Sequence, residues 1–477
     1  HSGMSCGLNR LNLLALITWQ TMNFFAASNI FGIFSNLMPE WRCGSGPISH
    51  NCTFYAKCRE TVTFAHVTFH STAYEFDWFC DGAKYRAISN QVQFFGYFSG
   101  TLIFGFASDV LGRKNLATFA VALGIVATTV SGLVHSTILV IAARFVIGLA
   151  IGGQMVAGCT FIMEMLPPEK RMFSRAYFNW GISRMLLTAI CYITQEWRHA
   201  CFGIALCCMP ALLALLFIFP ESPTWLLSKD RLDEMRTSEK KIARIAGVEY
   251  VPVNHPKPEK PKSIVQVMRS GLWKRLLVLW VMWFVAATSS YATDLASSRL
   301  SGNLYLNQFL FGLVTYVSKV ILGIVDTAFP AFSRRMLHQG SQVGAITCFG
   351  ILAVFKLVGY NGPLMLVFNI LGIVFVEYTW DACYLCAIEG VETSSRASAT
   401  GSSSCVGRIG MLLAPLLAHI DHDVPGFVYV IVVVLGSLNL LQSYIFLVET
   451  KGVKLDEVHI DGTEMRSQDD EMEHLKQ

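Results

Sequence analysis

Charge is what this chain has least of. Asp, Glu, Lys and Arg together make up 15% of its 477 residues, against roughly a quarter in ordinary soluble domains, and that excludes a water-soluble globule of this length. Two further absences narrow the chemistry. There is no Gly-Lys dipeptide, so the phosphate-binding loop of ATP-driven pumps is missing. There is no His-Glu-x-x-His zinc pair. An enzyme is therefore not expected, nor a cofactor, nor a metal site, and movement of any substrate must draw on gradients. The formal net charge of +4 comes from a few loops rather than a basic face, so no nucleic-acid partner is expected.

What the chain has instead is apolar length. It is 53% hydrophobic, with runs of about 20 residues, the span of a bilayer core. Spans are expected near Leu11–Phe34, Ile88–Ala107, Asn115–Val134, Ile138–Met165, Ala176–Thr194 and Cys201–Phe219. A second set follows near Leu276–Ala296, Tyr305–Phe329, Gln342–Tyr360, Pro363–Ala387, Ser398–His419 and Phe427–Val448. The reading is an all-α polytopic membrane protein of twelve transmembrane helices. Polar marks recur between the two sets: Glu164/Glu389 and Arg171/Arg396 are each 225 residues apart, Arg184/Arg408 are 224, Glu221/Glu449 are 228 and Asp109/Asp326 are 217. Internal repeats of this length in a polytopic chain are the build of secondary carriers, with two pseudo-symmetric six-helix halves and a site between them.

Short loops set the orientation. Arg113 and Lys114, then Lys170, Arg171 and Arg175, then Arg334, Arg335 and Arg396 fall on one side, which the positive-inside rule makes cytoplasmic, with both termini. The division expected is 1–34 for the N-terminus and first helix, 35–87 for an extracellular loop, and 88–225 for the rest of the first bundle. A cytoplasmic linker with short helices follows at 226–275, then the second bundle at 276–450 and a tail at 451–477. The extracellular loop holds Cys43, Cys52, Cys58 and Cys80, an even number facing an oxidising space, for which two disulfides in any of three pairings are expected. It also holds the chain's one Asn-x-Ser/Thr tripeptide, at Asn51, a glycosylation candidate.

Several strings carry a family resemblance. GFASDVLGRK from Gly105, RFVIGLAIGG from Arg144, PESPTWLLS from Pro220 and VETKG from Val448 resemble the loop, fourth-helix and bundle-end motifs of the major facilitator superfamily. The cysteine-bearing loop, EFDWFCD from Glu75 and EWRHA from Glu196 resemble its organic ion transporters. FGLVTYVSKVILGIV and CVGRIGMLLAPLL are similar to the eighth and eleventh helices of the organic anion transporters, in which a lysine and an arginine stand where Lys319 and Arg408 do here.

The resemblance implies a plasma-membrane carrier of small organic anions, working by uniport or exchange, monomeric and surrounded by lipid. Lys319, about 15 Å from the nearer helix end at 1.5 Å per residue, and Arg408 are the expected anion ligands. Each costs at least about 2.5–3.5 kcal/mol at such depth unless it meets a partner or a wet cavity. A salt bridge from Lys319 to Glu377 or Asp381 is the competing reading. Tyr291, Trp380, Tyr384, Trp180, Asn23 and Arg184 complete the candidate site. Asp109, Arg113, Glu164 and Arg171, with Asp326, Glu389 and Arg396, are expected at a cytoplasmic gate where the halves meet. The second half lacks the glycine expected before Arg334 and Arg335, so that gate is asymmetric. A carrier of zwitterions or cations such as carnitine, or a receptor-like member without transport, is the alternative.

Overall fold

The computed structural model describes residues 9–43, 52, 55, 62–65, 67–166, 177–252, 264–297, 302–329, 332–391 and 393–447. Among them, besides the 15-residue polar helix Leu232–Ala246 of the linker, run twelve helices that correspond to the expected spans. In the first half these are α1 (Arg10–Ala27), α2 (Ala83–Leu111), α3 (Arg113–Leu133), α4 (Thr137–Gly153, continued through a π turn to Met165), α5 (Trp180–Thr194) and α6 (Trp197–Leu213). In the second they are α7 (Trp273–Ala296), α8 (Leu304–Ala328), α9 (Arg334–Val358), α10 (Leu364–Glu389), α11 (Thr393–Asp423) and α12 (Phe427–Phe446).

Ten of the twelve are long and apolar enough to cross a bilayer. The other two are α1, which buries Asn12, Thr18 and Asn23 along its length, and α5, whose described part has 15 residues. The outer surface shows what solvent these helices expect. Phe106, Ile193 and Leu357 are more than three-quarters exposed, a large apolar area that only lipid would cover.

Packing repeats as the sequence marks do. α1 lies against α5 and α6, and α3 against α4 and α6, while six helices later α7 lies against α11 and α12, and α9 against α10 and α12. The halves meet along two symmetry-related seams, α2 with α11 and α5 with α8. Any central site must be built from side chains on those helices and their neighbours.

The face of the molecule that bears the long loop, called the loop side below, departs slightly from the all-α expectation. Glu40–Cys43 (β1) pairs antiparallel with Val62–Ala65 (β2), Glu40 opposite Ala65. Cys52 is bonded to Cys80 and Cys43 is also disulfide-bonded; Cys58 and Asn51 lie outside the described residues. The two strings that marked the family meet here. The Glu75 carboxylate accepts from Trp197 Nε1 at 2.7 Å and from Arg198 at 2.5 and 3.1 Å, and the His70 and Trp197 backbones bond across the same contact.

Burial pushes the Glu75 carboxyl up, but the hydrogen bonds from Arg198 and Trp197 outweigh it and hold it below its ordinary value. A carboxylate lowered in the folded state contributes stability above its unfolded value and loses it as pH falls through the folded one. Loop docking is therefore expected to weaken only on acidification below the ordinary carboxylate range. Limited proteolysis of the loop should accelerate there in wild type, and should already be fast at neutral pH in Glu75→Gln.

Candidate functional site

Three basic side chains expected at the centre reach three different environments. Arg408 of α11 is 7% exposed, and its guanidinium lies 4.4 Å above the ring of Tyr97 of α2, across the seam between the halves. Tyr291 of α7 and Tyr384 of α10 are within electrostatic reach. Among the described residues no carboxylate pairs with Arg408, and its Nε has no hydrogen-bond partner. Tyr291 packs edge-on against Phe94 of α2 at 5.3 Å. Trp380 and Tyr384 close on Trp283 of α7, with ring centroids 5.5 and 4.5 Å away. The result is a cation walled by aromatic rings from both halves, a setting in which tyrosine and tryptophan offer broad apolar contact and a polar edge.

Lys319 of α8 has protein partners. Its Nζ lies 3.1 Å from Glu377 and 3.0 Å from Asp381, which stand four residues apart on α10 and so share a face. Two carboxylates meet one ammonium, a formal excess of one negative charge. Arg184 of α5 is also committed: it bonds Asp294 of α7 at 2.7 Å and donates twice to Gln308 of α8, at 3.1 and 2.7 Å. Asn23 donates to the Phe178 carbonyl at 3.4 Å, tying α1 to the entry of α5, and Trp180 packs at that helix start. Sequence reasoning missed Tyr97, Asp294 and Gln308. The signal for Asp294 was available, since a buried arginine at 184 demanded an acid somewhere; nothing set Tyr97 apart from other aromatics in an apolar run.

The expected gate charges sit at the opposite, basic face. Arg113 bonds Glu164 and lies 3.9 Å from Asp109, and Ser222 Oγ donates to Glu164 at 2.5 Å. Glu221 accepts from the Lys114 backbone at 2.8 Å, placing a carboxylate at the N-terminus of α3, where the helix dipole favours it. In the second half Arg334 bonds Asp326 at 2.6 Å, and Arg396 donates to the Val391 carbonyl at 3.4 Å. These contacts join helix ends within each half. Arg171 and the Glu389 side chain lie outside the described residues.

Gly112 makes the α2–α3 turn possible: it has φ +104°, and a Cβ there would stand 2.6 Å from Glu221 Oε2. Gly112→Ala therefore pays for a left-handed residue and a displaced cap together. A loss of about 2–4 kcal/mol is expected, visible as a lower melting temperature in detergent.

This geometry has known counterparts. A family model described as "Sugar (and other) transporter" matches residues 57–461. The chain belongs to the major facilitator superfamily, in its organic ion transporter family. An uncharacterized protein of Caenorhabditis elegans is 33% identical over 94% of both chains. Solute carrier family 22 member 7 of Rattus norvegicus is 26% identical over 76% of this chain and 70% of its own; member 16 of Homo sapiens is 24% identical over 83% and 71%. Among solved structures, the xylose transporter of E. coli in a partially occluded inward open conformation superposes with a TM-score of 0.66 at 15% identity, covering 94% of this chain and 99% of that one. This member of the superfamily is thus a membrane-embedded secondary transporter with a small-molecule substrate, and not an enzyme.

Proposed function

We propose that the substrate is a small organic anion whose carboxylate is received by Arg408. One observation carries the reading. Of the three basic side chains expected at the centre, Arg184 and Lys319 have carboxylate partners among the described residues and Arg408 has none there. A buried guanidinium without a counter-charge is costly, and a carboxylate entering the seam supplies that charge through a two-pronged hydrogen bond. Tyr97 and Tyr291, from opposite halves, flank the ligand, so both halves contribute to one site around which they rock in alternating access. The basic face is cytoplasmic, the chain is a monomer of the plasma membrane, and the loop side is extracellular with Asn51 glycosylated.

The Lys319 cluster favours a second reading. Its formal excess of negative charge lies on the α10 face that continues to Tyr384, so a substrate carrying an ammonium beside its carboxylate would satisfy both ends, as carnitine does. Uptake into vesicles separates the two. Radiolabelled mono- and dicarboxylates, carnitine and a quaternary amine are offered to wild type; carboxylate uptake supports the first reading and uptake of carnitine alone the second. Uptake of the amine alone contradicts both.

A further inference from the structure

The two repeat-mate arginines have diverged, and the divergence identifies a latch. Arg408 faces a tyrosine ring across the α2–α11 seam. Arg184 faces Asp294 and Gln308 across the α5–α8 seam, with the Phe311 ring 5.3 Å from its guanidinium. We infer that the Arg184–Asp294–Gln308 cluster is a latch that holds the loop side of the transporter shut, and whose breakage is the step that opens it.

The cluster is placed for that task. Arg184 belongs to the first half, Asp294 and Gln308 to the second. Asp294 is two residues from the loop-side end of α7, and Gln308 four residues from the loop-side start of α8. All three are buried, at 3, 5 and 1% exposure, and Gln308 donates onward to Ser297 Oγ at 2.9 Å. Below the cluster the α5 and α8 backbones touch: a Cβ on Gly181 would lie 2.5 Å from the Gly312 carbonyl. Above it Tyr305 donates to the Thr68 carbonyl at 2.9 Å and packs on Phe34 and Tyr192. No loop-side path between α5 and α8 can open while the ion pair holds.

The pair suits a switch better than a permanent staple. Broken by rigid rocking, both charges move together into the water that fills an opened cleft, so neither is left dry. Removing one partner, by contrast, biases the closed state alone, which shifts the population toward the open one. Tyr291, facing Arg408, is one helical turn from Asp294, so a ligand seated there adjoins the latch directly.

The test needs no substrate, so its outcome is independent of what Arg408 binds. Thr188, buried one turn beyond Arg184 toward the loop side, is replaced by cysteine, and its labelling by a membrane-impermeant maleimide is timed with the full-length protein in intact cells. Reagent is applied from the loop side, as marked by labelling of the exposed Lys84→Cys, and the parent protein gives the background. Slow labelling is expected with the latch intact. Asp294→Asn should raise the rate about tenfold or more, the population change that roughly 1.4 kcal/mol of lost closure produces. Gln308→Ala, which removes the two contacts accepted from Arg184 and the one donated to Ser297 but no charge, should raise it less. The exchange Arg184→Asp with Asp294→Arg should return it toward the slow value. Labelling unchanged by both Asp294→Asn and Gln308→Ala, or a charge exchange that stays as fast as Asp294→Asn, overturns the latch.

Discussion

Arg408→Ala should abolish carboxylate uptake while leaving the protein folded and at the membrane. The two halves of that expectation come from one fact. No carboxylate of the described protein depends on Arg408, so truncation leaves no orphaned acid behind, and it removes an uncompensated charge from the membrane interior. Stability should hold or rise slightly. A bound carboxylate, however, would lose charge-assisted hydrogen bonds of about 1.5–3 kcal/mol, at least a tenfold fall in apparent affinity. Arg408→Lys keeps the charge without the planar fork, so its uptake should fall between the two. Equal expression and melting temperature with uptake lost is the pattern that distinguishes a ligand from a structural cation. Loss of the protein itself would place Arg408 among the structural residues.

Lys319→Ala should give the reverse. The side chain is the counter-charge of Glu377 and Asp381, all three largely buried, and removing one partner of a buried ion cluster costs about 3–5 kcal/mol. Surface expression and thermal stability should collapse. The triple variant Lys319→Ala, Glu377→Gln, Asp381→Asn removes the charges together and should recover most of both. If the triple variant also takes up carboxylates at near wild-type affinity, Lys319 is a structural residue in this chain. A well-folded Lys319→Ala that no longer binds carboxylates would instead make it a substrate ligand, despite its two protein partners.

The polar marks were the most legible part of the sequence, because a charge in a long apolar run has few places to go. The five-fold register fixed the six-plus-six arrangement, and the arginines at 184 and 408 were visible as interior cations. Their partners were not. Asp294 and Gln308 lie about 110 and 124 residues from Arg184, across a seam that only tertiary packing defines. The same limit applies to Lys319, whose two acids lie a helix hairpin away on α10: the possibility of an ion pair was readable, and which of the two acids it uses was not, since it uses both. Tyr97 was hidden for another reason. An aromatic in an apolar helix carries no sign of whether it faces lipid, core or ligand until the opposing helix is in place. The two short strands in the loop were equally hidden, because four-residue segments between cysteines have too little periodicity to mark an element.

The central claim is that Arg408 waits for an anion at the seam between the halves. The most direct measurement is a map of the full-length protein in lipid nanodiscs with a transported carboxylate bound. The account predicts ligand density enclosed by Tyr97, Tyr291 and Tyr384, its carboxylate within hydrogen-bond distance of the Arg408 guanidinium, while Lys319 keeps Glu377 and Asp381. Density seated elsewhere, with Arg408 neutralised by a protein carboxylate, would contradict it.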